Sequence, residues 1–178
     1  PSYNKDITNI TNEDCYFYGV LLGDGYMLNN STSGHITLHS VNKKHILSFI
    51  KNYFEQKYIQ YHISYEENTT RIRWNKTVNL PFKYSDVYDS NKEKYIAYRW
   101  LNLPIEKGKS IIKGLLDTDG CNSKELVFDS TSRKMIESFR FLLLKMGVLS
   151  SGYIRDRRGE KHNTKKGIKL PYKLNLNE

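Results

Sequence analysis

Two aspartates stand at the ends of apolar runs in similar surroundings. Asp24 lies between two glycines in YGVLLGDGY (18–26), and Asp119 follows in IKGLLDTDGC (112–121), 95 positions later. If each run is a helix, each carboxylate sits at the C-terminal end, where the helix dipole disfavours an anion. Two such carboxylates brought together repel each other unless a proton or a divalent cation joins them. Oxygen ligands favour a hard cation, with Mg²⁺ first.

One Gly-Asp-Gly taken alone is usually only a turn. A glycine-rich phosphate loop is another alternative, but the chain contains no GxxxxGK[ST], and this motif ends a helix instead of beginning one. The recurrence favours a paired acidic site. Gly19 and Gly114 also recur, one in each run. Glycine costs about 1 kcal/mol in a helix interior relative to Ala, so its repetition predicts a close helix–helix contact.

The similarity between the two halves extends beyond these motifs. ITLHSVNKKHILSFIKNYF (36–54) runs parallel to LVFDSTSRKMIESFRFLLL (126–144) at an offset of 90, which pairs Ile46 with Ile136. The same offset pairs Ser40 with Ser130, Lys44 with Lys134, Ser48 with Ser138 and Phe49 with Phe139. The offset falls from 95 to 90 because the first copy carries a longer insert, 28–34. We therefore predict a duplicated α/β unit.

Each copy reads as helix, strand, strand, helix and further strand. The first helix is predicted to begin at Thr11 or Asn12 and to end at the glycines, and the second motif helix to span 105–118, after Pro104. An amphipathic helix is predicted at 132–148, and a helix that closes the first half at 85–101.

Alternating strands are predicted at 35–39, 71–75 and 168–176. In the first of them Ile36 and Leu38 point inward, and Pro171 marks the last as an edge strand. Strands with one apolar and one polar face predict an α+β fold, with antiparallel sheets that helices cover on one side.

The composition favours a polyanionic partner. The formal net charge is +9 and the basic residues are spread along the whole chain, which favours nucleic acid over a basic surface kept only for solubility. Two cysteines make neither a disulfide framework nor a metal site. No apolar run reaches the length of a membrane span, and the N-terminus does not read as a signal peptide, so we expect a soluble, intracellular chain.

The stretches FYGVLLGDG (17–25) and IKGLLDTDG (112–120) resemble the two motifs of the LAGLIDADG homing endonucleases. The second matches closely, and the first replaces the family's earlier acid with Leu22 but keeps the later one. STSRKMIESFRFLLLKMGV (130–148) is similar to the segment after the second motif in intein-encoded members. The resemblance covers roughly 15–150.

The resemblance implies a duplicated αββαββα architecture, with halves at 1–104 and 105–178, the second short of its closing helix. Saddle-shaped antiparallel sheets would grip a long double-stranded DNA site, and the chain would act as a monomer with internal pseudo-two-fold symmetry. It also implies Mg²⁺-dependent hydrolysis of both strands across the minor groove, with short 3′ overhangs.

The resemblance further implies roles for individual residues. Asp24 and Asp119 would bind two or three catalytic metal ions, with the carbonyls of Gly23 and Thr118 contributing, and Asp117 would be structural. Intein relatives often carry a Lys-x-Ile-Pro element before the second motif, and LNLP (101–104) puts Leu101 at the position of its lysine. Candidates to replace this basic group are Lys76, Lys107, Lys109 and Lys169. No splicing signature is visible, so self-splicing is not expected.

Candidate DNA contacts come from residues two apart, which face one way on a strand. Arg71 with Arg73, and Arg155 with Arg157, are the first choices. Thr37, His39, Asn75, Lys169 and Lys173 follow by the same logic. A solvated charged face is the alternative for any one of them.

Two other classes of protein compete with the endonuclease. One is a decayed or nicking LAGLIDADG protein that serves as a DNA- or RNA-binding module, such as a maturase or regulator. The other is a structural domain whose glycine motifs only pack helices. Both aspartates are present, and the positive charge argues against the structural domain, so the endonuclease is favoured.

Overall fold

The chain forms two units with the same order of elements. In the computed structural model, which describes residues 9–122, 126–154 and 172–176, the first unit contains α1 (Asn12–Asp24), β1 (Gly25–Met27), β2 (Gly34–His39), α2 (Lys44–Gln56), β3 (Tyr61–Tyr65) and β4 (Thr69–Trp74). Two single-turn helices follow, α3 (Tyr84–Val87) and α4 (Tyr98–Leu101). The second unit contains α5 (Ile105–Asp119), β5 (Gly120–Asn122), β6 (Leu126–Ser130), α6 (Arg133–Lys145), β7 (Ser150–Ile154) and β8 (Tyr172–Leu176).

Each unit folds its four strands into one antiparallel sheet. The strand orders are β1-β2-β4-β3 and β5-β6-β8-β7, so equivalent strands are central in both sheets. Gly25 pairs with Ile36, and Gly120 pairs with Phe128, so each motif helix passes directly into the first strand of its sheet. The predicted α+β fold with antiparallel sheets is confirmed.

A capping box fixes the start of α1. The Thr11 hydroxyl accepts a hydrogen bond from the Asp14 amide at 3.1 Å, and the Asp14 carboxylate accepts one from the Thr11 amide at 2.9 Å. Tyr53 and Lys57 also bind the buried Asp14 carboxylate, at 2.6 Å and 2.8 Å. The second motif helix, α5, begins after Pro104 as predicted.

Aromatic rings build most of the first core. The ring of Phe17, on α1, lies 5.2 Å from that of Phe54 on α2 and 5.9 Å from that of Trp74 on β4. In the second unit Phe128 of β6 packs against Phe139 of α6, with the ring centres 4.4 Å apart. Among the residues described, no helix is long and apolar enough to cross a membrane.

The prediction of one helix over 85–101 is wrong. Between α3 and α4, Tyr88 and Lys94 form an isolated bridge, and Lys92 takes a positive φ of 61°. The amides of Asn91 and Glu93 both donate to one carboxylate oxygen of Asp89, each at 2.9 Å. This side chain stabilises a turn that competes with helix formation.

The predicted alignment of the two halves is shifted by one residue in the second helices. Since α2 begins at Lys44 and α6 at Arg133, the helices align at an offset of 89. Buried Ile46 therefore corresponds to buried Met135 and not to Ile136. The connections differ in length, 40–43 before α2 and 131–132 before α6, which a constant offset cannot describe.

Two strands also differ from the prediction. Ile36 and Leu38 are buried as expected, but β4 ends at Trp74, so Asn75 lies beyond it. In the second sheet β8 is a central strand, paired with both β6 and β7, so the edge-strand prediction is wrong. The described strand begins after Pro171, which itself lies outside the described residues, so its ladder includes no proline.

Candidate active site

Helices α1 and α5 pack directly against each other through glycines. A Cβ atom on Gly19 would lie 2.3 Å from the carbonyl oxygen of Ile111. One on Gly114 would lie 2.3 Å from the carbonyl oxygen of Tyr16. Side-chain carbons do not approach backbone oxygens so closely, so the structure places a glycine on each helix where only glycine fits.

This packing also joins the ends of the two helices. A Cβ atom on Gly23 would lie 2.0 Å from the Thr118 hydroxyl and 3.3 Å from a carboxylate oxygen of Asp119. Asp24 and Asp119 are the last residues of α1 and α5. Each motif therefore delivers one carboxylate to the same place, at the point where each helix passes into its sheet.

The Asp24 carboxylate influences the ionisation of Asp119. Burial, together with the Asp24 carboxylate, raises the pKa of Asp119 to about 6, although Lys94 and Lys43 act to lower it. Asp119 reaches solvent on one side, and water there screens part of this interaction. Negative charge concentrated in this way attracts a cation.

Lys43 links the two motifs. Its Nζ donates to Oδ2 of Asp24 at 2.5 Å and to the carbonyl oxygen of Thr118 at 2.8 Å. The residue immediately precedes α2, and its side chain and that of Asp24 are 21% and 18% exposed. One ammonium group thus touches an acid from the first motif and a carbonyl from the second.

Lys94 binds the end of α1. Its Nζ donates to the carbonyl oxygens of Leu22 and Gly23, both at 2.8 Å, and to that of Leu21 at 3.3 Å. These carbonyls end a helix and carry its negative partial charge. Burial lowers the pKa of Lys94 to about 8, although Asp119 and Asp24 raise it.

In the described part of the chain, the lysines beside the acids are Lys43 and Lys94, which are not among the predicted replacements. Lys109 pairs with Glu106 in the first turn of α5, and Lys107 lies about 18 Å along that helix from Asp119. Lys76 lies exposed beyond β4, and Lys169 lies outside the described residues.

Sequence reasoning missed both Lys43 and Lys94. A signal existed for Lys94, because Lys94-Tyr95-Ile96 reads as the Lys-x-Ile of the expected element, with Ala97 in place of its proline. The prediction from LNLP puts the lysine position of this element at Leu101, which instead ends α4 and packs against the core. We found no comparable signal for Lys43.

Asp117 serves the helix contact. Its Oδ2 accepts a hydrogen bond from the Tyr16 hydroxyl at 2.7 Å, and His45 Nε2 lies 3.9 Å from the same oxygen. Burial raises the pKa of Tyr16, and the Asp117 carboxylate adds to the shift, so the phenol stays a hydrogen-bond donor at neutral pH. These contacts support the structural role that the resemblance implied for Asp117.

A cavity of about 390 Å³ opens beside Asp119. It is lined by the ends of α1 and α5, by Lys94, and by the turn from β6 into α6. Asp129, the fourth residue of β6, also lines it, and its buried Oδ1 has no hydrogen-bond partner among the residues that the structure describes. The charge of Asp129 is among those that raise the pKa of Asp119.

The oxygen atoms at the two helix ends are suitable ligands for a hard divalent cation. They are the carboxylates of Asp24 and Asp119 and the backbone oxygens of Gly23 and Thr118, all of which are oxygens. In the described part of the chain, no three His, Cys, Asp or Glu side chains form a group that could hold a metal ion.

The outer face of the first sheet carries basic side chains. Arg71 pairs with Thr37 across β2 and β4, and its Nε donates to the Thr37 hydroxyl at 3.2 Å. Arg73 lies between His35 and His62 and is exposed. The predicted pair Arg71 and Arg73 therefore shares one face.

The other candidate DNA contacts are less closely grouped. Nδ1 of His39 accepts from the amides of Val41 and Asn42 at 3.3 Å and 3.4 Å, so it stabilises the turn before α2. Asn75 is exposed beyond the end of β4. Lys173 lies on β8 in register with Asp129. Arg155, Arg157 and Lys169 lie outside the described residues.

Comparisons with known proteins agree with this architecture. Residues 107–173 match the family model of the LAGLIDADG-like domain. The chain is also 30% identical over 153 residues to the ATP-dependent DNA helicase Hel308 of Methanocaldococcus jannaschii, a match that takes in 83% of this chain. The chain spans 12% of that helicase's length.

Solved structures show the same fold. A mesophilic variant of the homing endonuclease I-DmoI superposes with a TM-score of 0.68 and 18% identity, covering 95% of this chain and 90% of that one. I-DmoI in complex with DNA and Ca gives a TM-score of 0.69 at 18% identity, covering 95% and 84% of the two chains. The N-terminal LAGLIDADG domain of DUF199/WhiA gives 0.60 at 12% identity, covering 97% and 82%. The resemblance seen in the two motifs is confirmed.

Proposed function

We propose that this chain is a site-specific DNA endonuclease that cuts both strands. The proposal starts from its LAGLIDADG endonuclease fold and from the match of its second half to a LAGLIDADG-like domain. The observation that carries this proposal is the junction of Asp24 and Asp119 at the ends of two packed helices. A purely structural helix pair has no need for two carboxylates where both helix dipoles disfavour them.

The proposed cofactor is Mg²⁺, as two or three ions. Asp24 and Asp119 would hold it, with the carbonyl oxygens of Gly23 and Thr118. When bound, it would lower the pKa of an attacking water and neutralise charge on the scissile phosphate. Lys94 places a further positive charge beside these oxygens, where it can stabilise the negative charge that develops during hydrolysis.

The two sheets would position the DNA. The exposed Arg73 and its basic neighbours would contact phosphates and base edges, and the net charge of +9 would attract the duplex. We assign one strand of a long duplex to each half of the chain, 1–104 and 105–178, with the chain as a monomer. Two acids held close together suit cuts across the narrow minor groove, which leave short 3′ overhangs.

A homing role, of the intein-encoded type, is part of the proposal. The support for this role is that the chain matches only 12% of the length of a helicase. A LAGLIDADG unit that makes up a small part of a larger enzyme suggests an endonuclease inserted into that enzyme. The DNA target of this chain would then lie in a gene that lacks the insertion.

The second candidate is a nucleic-acid-binding module that no longer cuts. The observation in its favour is the contact between Lys43 and Asp24, which places a lysine where the cofactor would bind. Such a module would keep the basic sheet and would not need either acid.

Cleavage of a supercoiled plasmid library separates the two candidates. The chain would be incubated with Mg²⁺ and, in parallel, with Ca²⁺, and the ends of linear products would be sequenced. Discrete double-strand cuts that require Mg²⁺ and disappear in Asp24→Asn and Asp119→Asn support the endonuclease. Tight binding without cuts, unchanged in both variants, supports the binding module.

A further inference from the structure

One ammonium group occupies a position between the two motifs. Lys43 Nζ touches Asp24 Oδ2 and the Thr118 carbonyl oxygen, at 2.5 Å and 2.8 Å. Under the proposed function, on which this inference rests, both oxygens belong to the cofactor site. The lysine and a divalent cation would therefore compete for the same two ligands.

The surroundings favour a positive charge at this point. Asp24 ends α1 and the Thr118 carbonyl lies at the end of α5, so the negative ends of two helices meet there. The side chains of Lys43 and Asp24 are mostly shielded from water, at 21% and 18% exposed, so a carboxylate without a partner would be costly. Lys43 meets this requirement with one charge where a metal ion would bring two.

The position of Lys43 in the chain allows its side chain to move away from Asp24. It stands just before α2 with φ −114° and ψ 26°, and its side chain does not cap that helix. Four methylene groups separate its charge from the backbone, and such a stem can swing outward without disturbing α2. A DNA phosphate at the basic face would offer the ammonium group another partner.

The equivalent position in the second half carries no lysine. The residue just before α6 is Ser132, whose hydroxyl accepts from the Met135 amide at 3.2 Å and donates to the Lys94 carbonyl at 2.8 Å. Asp119 faces the cavity of about 390 Å³ instead. The two acids therefore differ, since Asp24 accepts a hydrogen bond from Lys43, whereas Asp119 is exposed to solvent.

The geometry points to Lys43 as a tethered cation that fills the Asp24 half of the site and must be displaced when a divalent cation binds there. Without a metal, it stabilises the meeting of the two helix ends. It also weakens metal binding at Asp24 relative to Asp119, so the two halves of the site fill in order, with Asp119 first.

Calcium titration without DNA tests this inference independently of cleavage. Isothermal titration calorimetry would compare the wild type with Lys43→Met and with Lys44→Met. The second variant removes the same charge from the neighbouring, exposed position and so corrects for the loss of net charge. We expect Lys43→Met to bind Ca²⁺ about tenfold tighter than Lys44→Met at one site, and Asp24→Asn in the Lys43→Met background to abolish the gain.

A second measurement keeps the test valid if Lys43→Met unfolds. The ¹⁵Nζ resonance of Lys43 in the wild type should shift on addition of Ca²⁺, while that of Lys44 stays in place. Equal Ca²⁺ affinity of the two methionine variants, or a Lys43 resonance that ignores Ca²⁺, would overturn the inference. A chain that shows the expected shift but never cuts DNA would instead count against the proposed endonuclease.

Discussion

Gly19 and Gly114 face each other across the contact between α1 and α5. A Cβ on Gly19 would lie 3.1 Å from Cα of Gly114, and a Cβ on Gly114 would lie 3.0 Å from Cα of Gly19. The two backbones thus touch with no side chain between them. This close approach is what brings Asp24 and Asp119 to one place at the helix ends, so the glycines determine the geometry of the site.

Substitution of either glycine should open this contact. Gly114→Ala forces the helices apart because the new methyl would lie 2.3 Å from the Tyr16 carbonyl oxygen and 2.8 Å from the Val20 amide nitrogen. We expect the free energy of unfolding to fall by about 3 kcal/mol in urea denaturation. Lys51→Ala, at an exposed position of α2, is the control and should change it by less than about 0.5 kcal/mol. Equal effects of the two substitutions would disprove the tight contact.

Asp14 should make stability depend on pH. Burial raises its pKa, but hydrogen bonds from Lys57, Tyr53 and Thr11 outweigh burial and hold the pKa below its usual range. A depressed folded pKa stabilises the fold above the unfolded value of about 3.9, and this stabilisation is lost as pH falls through the folded pKa.

Asp14→Asn should therefore lower the free energy of unfolding by about 3 kcal/mol at pH 7, because it leaves Lys57 without its buried partner. The difference from wild type should shrink below pH 4. Chemical denaturation at pH 7, 5 and 3 measures it, and a difference that stays constant over this range would contradict the assignment.

Arg73 should contribute to DNA affinity through charge. It is exposed on the outer face of the first sheet, between His35 and His62. Arg73→Ala should weaken binding and reduce the slope of log K against log salt concentration by about 1, the value for one phosphate contact. Lys51→Ala removes the same charge from the exposed side of α2. Fluorescence anisotropy at several salt concentrations should show a larger change in slope for Arg73→Ala than for Lys51→Ala. Identical slopes for the two variants would show that the outer face of the first sheet does not bind DNA.

Lys94 should stabilise the fold as well as the site. It is hydrogen-bonded to the carbonyls of Leu21, Leu22 and Gly23, so Lys94→Met leaves three carbonyls without this donor. We expect the free energy of unfolding to fall by about 2 kcal/mol and DNA cleavage to be lost. Lys51→Met is the matched control. A variant that is as stable as wild type and still cuts would show that Lys94 serves neither purpose.

Much of the fold could be predicted because it depends on local patterns. Thr11 and Pro104 mark helix starts, and the alternation around Ile36 and Leu38 identifies a strand and its buried face. The duplication then indicated that Asp24 and Asp119 would meet. These inferences needed only short stretches of sequence and one repeat.

The lysines beside the acids could not be found in this way. Lys43 and Lys94 lie in connections between elements, where no periodicity indicates the direction of a side chain. The central place of β8 likewise depends on pairing with β6, far away in the sequence, and not on Pro171. Helix and strand patterns describe single elements, while the site depends on contacts between elements.

Strand-resolved cleavage tests the paired-acid proposal most directly. A duplex that carries the target, with a different fluorophore on each strand, would be cut by the wild type, Asp24→Asn, Asp119→Asn and the exposed control Glu137→Gln. We predict that the wild type and the control cut both strands in Mg²⁺, whereas each aspartate variant loses cleavage of at least one strand by about 100-fold or more, on the order of an essential catalytic contact. Undiminished cleavage of both strands by either aspartate variant would contradict the proposal.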